Sequence, residues 1–319
     1  MSEAQQKRVN IIITDHVIRY MYIKKPSVDG VKDYGEKPLL AGIVEDGKIK
    51  DQAAFEKVLK SLVKEKKWNR QPLYFCVPET AVSIREHVVP KGLTKQEIKS
   101  YVYMELEENL SFPFKDPIFD FEVIGEAEDK TKILLFAYPR ERVNQFVQTF
   151  QNAGLKPVVA DLSSLSLYRL YYSLNKASQD ENLLAVQWGK DAIVLTAFKQ
   201  LKPVFTRYIK TSSDPLRYDI LTKEYVLTEN DALVEQYIES QLVTIQRFMD
   251  FFQFSVSDSS EPITKLLLAG DFPDMEKIEM FVKERFSISV ESMHNNYEAL
   301  QIPAKFSDVL GLALKDNKE

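Results

Sequence analysis

Few side chains in this sequence could do chemistry, and none has the spacing of a catalytic or metal-binding set. The single cysteine, Cys76, lies in an apolar run over 73–77. One sulfur closes no disulfide within the chain and builds no thiolate metal site, so it reads as a buried structural thiol. His16, His87 and His294 are far apart and lack ligand spacing. Asp15 and Asp191 lie near two turns, where they could hold a cation; acidic residues also simply suit hairpin turns, which is the plainer reading. Phosphate chemistry would ask for glycine, because backbone N–H groups must approach anionic oxygens closely. The chain has 10 glycines in 319 residues, about 3% against a usual ~7%. No two are adjacent and no pair is spaced Gly-x-Gly. Neither a Walker loop nor a dinucleotide fingerprint can be written anywhere in the chain.

The rest of the composition narrows the class. A length of 319 residues predicts two domains, and 45% hydrophobic with 28% charged residues is ordinary for a folded protein. Net charge is -5 with both signs interspersed, which argues against a nucleic-acid binder. No apolar stretch approaches the ~18 residues of a membrane span, and residues 1–8 lack the apolar core of a signal peptide. The expectation is a cytoplasmic protein without direct membrane insertion, whose relation to a membrane passes through a partner.

The elements that would position these residues repeat. Residues 9–13, 17–23 and 39–44 read as strands, 52–66 as an amphipathic helix with Ala54, Val58, Leu59, Leu62 and Val63 on one face, and 73–77 as a buried strand. A helix over 139–153 stopped by Gly154, a strand over 156–160 and a helix over 162–173 complete the first half. The second half reads alike: strands at 183–188, 192–198 and 203–209, a long helix at 232–254 opened by a capping-box-like stretch at 228–231, a strand at 265–269, a helix at 274–285 and a short strand at 287–290. Each half therefore runs β-β-β-α-β-α-β-α, the element order of the actin-like ATPase fold with its duplicated RNase H-like halves. The predicted division is 1–175 and 176–319, with a C-terminal helix at about 306–315. A small α/β module is inserted in the first half at about 80–138. It comprises a strand through Val82, Ile84 and Val88, a helix capped by Thr94-x-x-Glu97, and strands at 119–124 and 132–137. Insertions between scaffold elements often carry binding surfaces.

Particular residues resemble a known family. Gly42-Ile-Val-Glu-Asp-Gly-Lys-Ile-Lys-Asp51, Val77-Pro-Glu-Thr-Ala-Val-Ser-Ile-Arg85 running on to Pro90, the run 97–105, Phe112-Pro-Phe114 to Asp120, Ala153-Gly-Leu-Lys-Pro157 with Asp161, Pro203-Val-Phe-Thr-Arg207 and Gly311-Leu-Ala-Leu314 occur collinearly. This set is similar to the type IV pilus assembly protein PilM family, which is FtsA-related and actin-like. The resemblance implies a cytoplasmic docking subunit, recruited to the inner face of the membrane, that captures the cytosolic N-terminal tail of a bitopic, PilN-like inner-membrane protein. The machine could equally be a related competence or secretion system, and the cytosolic assembly motor ATPase is a second candidate partner. Many members also bind ATP, and here the chain departs from the pattern.

The family's first phosphate turn, Asp-Ile-Gly-Ser-Ser, is matched only by Ile12-Ile-Thr-Asp-His16. The second-half Asp-Ile-Gly is Gln187-Trp-Gly189, and the adenosine-side Gly-Gly is Gly270-Asp271. A further Gly-Gly is replaced by Thr211-Ser-Ser-Asp214. The degenerate nucleotide positions are thus Asp15, Gln187, Gly189 and Gly270. Lost carboxylates remove metal ligands, and lost glycines add side chains where phosphate should lie. The expectation is no ATPase activity, no metal and no cofactor, the alternative being weak binding of ATP with magnesium as a switch.

For the partner tail, the inserted module offers Val82, Ile84, Arg85, Tyr101, Met104 and Glu105. Arg85 with Glu86 and His87 suits a partner contact or a solvated strand face. Tyr101, Tyr103 and Met104 extend the apolar surface of their helix beyond Ile98, Val102, Leu106 and Leu110, which suits either a peptide groove or packing against the main body. Tyr168, Tyr171 and Tyr172 crowd a helix that reads as buried. The lysine-rich run 57–67 reads as a solvent face, and Glu56 and Glu65 dilute its positive field, which speaks against a membrane-binding role.

Overall fold

Apolar runs of five to seven residues alternate with amphipathic stretches, and the chain folds accordingly. The computed structural model describes residues 7–108, 110–219, 224–256, 261–294 and 301–316, and the structural statements below concern these. The first part contains β1 (Arg8–Ile13), β2 (Val17–Ile23), β3 (Val31–Pro38), the short pair β4 (Val44–Glu45) and β5 (Lys48–Ile49), α1 (Gln52–Lys66) and β6 (Pro72–Val77). Then come β7 (Ser83–Pro90), α2 (Lys95–Glu108), β8 (Pro117–Ala127), β9 (Lys130–Pro139), α3 (Arg140–Asn152), β10 (Lys156–Leu162) and α4 (Ser163–Ser173). The remainder holds β11 (Asn182–Trp188), β12 (Ala192–Lys199), β13 (Lys202–Lys210), β14 (Leu216–Asp219), β15 (Glu224–Leu227), α5 (Asp231–Phe251), β16 (Lys265–Gly270), α6 (Met275–Arg285), β17 (Ser289–Ser292) and α7 (Ser307–Ala313).

Two five-stranded sheets result, ordered β10-β6-β1-β2-β3 and β13-β12-β11-β16-β17. In each, an antiparallel three-strand meander is extended by parallel strands: β1 pairs with β6 and β6 with β10, as β11 pairs with β16 and β16 with β17. Central strands buried on both faces read as unbroken apolar runs, and β1 is buried at all six positions. The sheets and helices stack in five layers. Phe55, Leu59, Phe146 and Phe150 of α1 and α3 cover one face of the first sheet. Leu167, Leu170 and Tyr171 of α4 and Val309, Leu310 and Leu312 of α7 fill the space between the sheets. Ile238, Leu242, Ile245, Ile278 and Val282 of α5 and α6 cover the outer face of the second. Helices α4 and α7 cross so closely that a Cβ on Gly311 would lie 1.7 Å from the Ser166 carbonyl oxygen, so glycine is required there. Arg8 donates to the carbonyl oxygens of Ala313 (2.9 Å) and Lys315 (2.5 Å), tying the chain's last helix to its first strand.

The inserted segment forms its own sheet, β7-β9-β8, backed by α2. Val89, Ile98, Val102, Phe119, Ile133 and Leu135 make its core. The expected capping box forms: Glu97 N–H donates to Thr94 Oγ1 (3.3 Å), and Thr94 N–H donates to the Glu97 carboxylate (2.8 Å).

Several expectations need correction. The third strand is not 39–44 but Val31–Pro38, whose Lys, Asp, Gly and Glu residues hid it; as an edge strand it has no buried face to enforce alternation. Residues 39–43 turn instead, and only Val44–Glu45 pairs, with Lys48–Ile49. The long helix is capped by Asn230, which accepts from Leu233 N–H, rather than by a box begun at Thr228. The β14–β15 hairpin was not foreseen. Of the three tyrosines on α4, Tyr168 and Tyr171 are buried while Tyr172 is exposed.

Candidate functional site

The two sheets bring their first hairpin turns together, and the four degenerate nucleotide positions, Asp15, Gln187, Gly189 and Gly270, line one cavity between them. Asp15 closes the first turn. Its carboxylate accepts from the backbone N–H of Asp46 (2.8 Å) and Gly47 (3.0 Å), while its own N–H donates to Asp191 Oδ2 (3.1 Å). Burial raises its pKa, against the pull of those two amides. Gln187 turns inward, donating to Ser163 Oγ (3.1 Å), which donates to the buried carboxyl of Glu79 (2.8 Å). Gly270 has φ +140, and a Cβ there would meet the Trp188 carbonyl oxygen at 2.0 Å. The approach of β16 to β11 therefore accounts for this glycine, whatever else the cavity does.

Two residues to which sequence reasoning gave no role, His16 and Arg19, organise a charge network that starts from the cavity wall. His16 Nδ1 lies 3.2 Å from Asp191 Oδ2 and its Nε2 3.0 Å from Asp271 Oδ2. Arg19, 3% exposed, reaches Asp271 (2.9 Å), Glu36 (3.0 Å) and Asp308 (3.3 Å), and Lys305 reaches Glu36 (2.5 Å). Burial opposes the charge on His16, but Asp271 and Asp191 outweigh it and lift its pKa to about 9. Burial likewise opposes charge on Asp271, yet His16 and Arg19 hold its carboxyl well below the usual range. His16 and Arg19 come from the first sheet and Asp191 and Asp271 from the second, so the network joins the two across the cleft. Tyr225 packs edge-on to His16, with ring centres 6.1 Å apart. One signal was legible: Arg19 interrupts the apolar run Val17–Ile23, and a buried arginine requires carboxylate partners. Its partners, up to 289 positions away, were not.

Cys76 lines the same cavity, where burial, with Asp161 and Glu79 nearby, pushes its thiol well up. A thiol so disposed is inert. The cavity itself holds ≈ 100 Å³.

A larger depression, ≈ 660 Å³, lies between the inserted module and the first sheet. Its walls come from β8 (Ile118 to Glu122) and from the end of β10 (Ala160 to Leu162). Each of these is an edge strand of its sheet, with one row of backbone groups unpaired by the ladder. Val82, Tyr103, Phe119, Tyr138 and Leu165 give it an apolar lining, and its charged margins mix Lys99, Arg140 and Lys315 with Asp120, Glu122 and Asp161.

Of the six expected partner residues, Val82 lies in this groove. Ile84 packs against the core of the first sheet. Arg85 stacks over the Phe112 ring (4.0 Å) and donates to the Ser111 carbonyl oxygen (2.5 Å), so it holds the Pro-Phe turn. Tyr101 packs against the module core. Met104 is 60% exposed on α2, and the Glu105 backbone carbonyl accepts from Leu110 N–H (2.6 Å). Tyr103, rather than Tyr101 or Met104, faces the groove and packs on Phe119 with ring centres 4.7 Å apart. The apolar stripe of α2 was readable; which neighbouring position turned toward the body depended on how the module docks.

A family model described as type IV pilus assembly protein PilM matches residues 11–309. Among solved structures, the chain is similar to a PilM-PilN type IV pilus biogenesis complex at 18% identity and TM-score 0.74, over 97% of this chain and 99% of that one. It is also similar to ethanolamine utilization protein EutJ from Carboxydothermus hydrogenoformans at 9% identity and TM-score 0.56, over 97% and 89% of the two chains. At such identities the likenesses speak for the fold, which is the actin-like α/β fold that the element order implied.

Proposed function

This chain belongs to the type IV pilus assembly protein PilM family, and from that premise we propose that it is a non-catalytic docking subunit of the assembly machine. It grips the cytosolic N-terminal tail of a PilN-like bitopic membrane protein in the groove between the inserted module and the first sheet. The observation that carries this reading is the pairing of two free strand edges across an apolar floor. An extended peptide gains main-chain hydrogen bonds from such an edge and places alternate side chains into the floor. The solved complex of similar fold contains a PilM and a PilN, which supports a partner of that kind. No described helix is long and apolar enough to cross a membrane, in keeping with a subunit held at the inner face of the membrane through its partner.

Nucleotide has no part in this reading. Asp191 and Asp271, the carboxylates beside the second turn, already face His16 and Arg19. The ≈ 100 Å³ that remains is well below the ~300–1,000 Å³ of small-molecule pockets. A magnesium–phosphate pair does not suit that arrangement: the metal would meet an imidazolium and a guanidinium, and the phosphate would meet carboxylates. The protein's own charges take the place of a bridging ligand. Calorimetric titration with the N-terminal peptide of the membrane partner tests the proposal. Micromolar or tighter binding, unaffected by ATP and magnesium and weakened by Val82→Asp, is the expected result; absence of binding to the intact protein overturns it.

A further inference from the structure

Helix α1 carries Lys57, Lys60 and Lys64 at steps of three and four, a spacing that lines one side of a helix, and Lys67 caps its C-terminal end. All four are exposed, opposite the buried Phe55, Leu59, Leu62 and Val63, and the exposed Arg70 follows in the turn. Sequence alone set Glu56 and Glu65 against this positive field. In the folded chain Glu56 pairs with Lys60, neutralising one lysine of the ridge, and Glu65 is drawn to Lys37. Glu56 accepts from Gln52 Nε2 (3.1 Å), Lys60 Nζ (3.0 Å) and Asn152 Nδ2 (2.8 Å), and Glu65 pairs with Lys37 (3.6 Å). On the β3 side Asp33 is occupied by Lys66 (2.9 Å). On the other side, α3 exposes the neutral amides of Asn144, Gln148 and Gln151. Among the described residues, Lys57, Lys64, Lys67 and Arg70 make no ion pair, so the ridge keeps a local positive field on a chain of net charge -5.

We propose that this ridge is an electrostatic docking surface for the anionic lipid headgroups of the membrane in which the partner is anchored. The proposal rests on the docking reading only in placing that membrane nearby. Each basic side chain close to an anionic leaflet contributes about 1 kcal/mol, decaying within a Debye length of ~8 Å. The ridge is convex and bears no exposed large apolar residue: only Ala53 and Ser61 interrupt its charges. A protein partner would need an apolar or aromatic anchor at its centre; a sheet of headgroups needs only charge. Contact here would orient the subunit against the membrane without insertion.

The test is co-sedimentation of the intact protein with lipid vesicles of phosphatidylcholine alone or containing phosphatidylglycerol, at low and high salt. Partition onto the anionic vesicles at low salt, its absence on neutral ones, and its loss at high salt are the expected results. The triple variant Lys57→Glu, Lys64→Glu, Lys67→Glu should reduce partition about 100-fold. The triple variant Lys115→Glu, Lys130→Glu, Lys132→Glu changes net charge equally on exposed sites of the inserted module and should leave partition nearly unchanged. No partition by the unaltered protein at low salt, or equal loss in both variants, overturns the proposal, the former leaving an acidic protein as the ridge's partner. The ridge variant should still bind the tail peptide. Tyr103→Ala should weaken peptide binding about tenfold while keeping vesicles, so the two readings fail separately.

Discussion

The cleft between the two sheets and the groove beside the inserted module are both concave, and both gather residues distant in sequence, yet they end in opposite states. In the cleft, His16, Arg19 and Lys305 pair with Asp191, Asp271, Glu36 and Asp308, while Asp15 and Glu79 accept hydrogen bonds from backbone and serine groups. In the groove, two strand edges and an apolar floor lie side by side, and among the described residues no further strand pairs with either edge. Buried charge must be neutralised wherever it sits, so the charges of His16 and Arg19 require the carboxylates that the second sheet brings. Apolar surface and free edges are tolerated in water at modest cost, so the groove can wait for a partner. The cleft joins the two sheets through charge, and the groove leaves apolar surface beside strand edges.

The sharpest way to break the comparison is Asp271→Ala. It leaves His16 and Arg19 without their shared counter-charge, and should cost about 3–5 kcal/mol in urea unfolding; a change under 1 kcal/mol would show that the cleft network is incidental. Next is pH. The folded-state pKa of His16, about 9, lies above the ordinary 6.5, so the stability it contributes is complete below about 6.5 and is lost as pH rises through about 9. The size of that decline is on the order of 3 kcal/mol, and His16→Gln should flatten it; an unchanged alkaline limb would remove His16 from the network. At the groove, Tyr103→Ala should weaken tail-peptide binding about tenfold with no loss of fold, whereas His16→Gln should leave that affinity alone. The smallest expected effect is that of ATP with magnesium. A ligand specific for the folded state raises the melting temperature, so millimolar nucleotide should shift it by less than about 1 °C if the cleft is closed by its own charges. A clear upward shift would restore the nucleotide switch as the better reading.

Legibility followed burial. Helix α1 and strand β2 were readable to the residue, because each has one well-defined apolar pattern and a stop. Strand β3 and the β14–β15 hairpin were not, because their residues are half-exposed and alternate weakly. The partnership of Asp271 and Asp308 with Arg19 was not legible, since neither carboxylate carries a local mark of it. Arg85 and Tyr101 read as surface candidates, while the fold uses them to hold the inserted module together.

What the sequence determined by itself is the set of short-range facts: periodicity that made each long helix, apolar runs that made the central strands, the Thr94–Glu97 cap, and the absence of glycine where phosphate would need it. These depend on neighbours within one or two turns of chain, and such interactions are encoded locally. Tertiary structure alone decided that His16 and Arg19 join the two sheets, that Glu65 pairs with Lys37, and that Tyr103 rather than Tyr101 meets the groove. Each of those outcomes turns on which carboxylate, amide or strand edge arrives from elsewhere in the chain, and electrostatic pairing across such separations has no period to read.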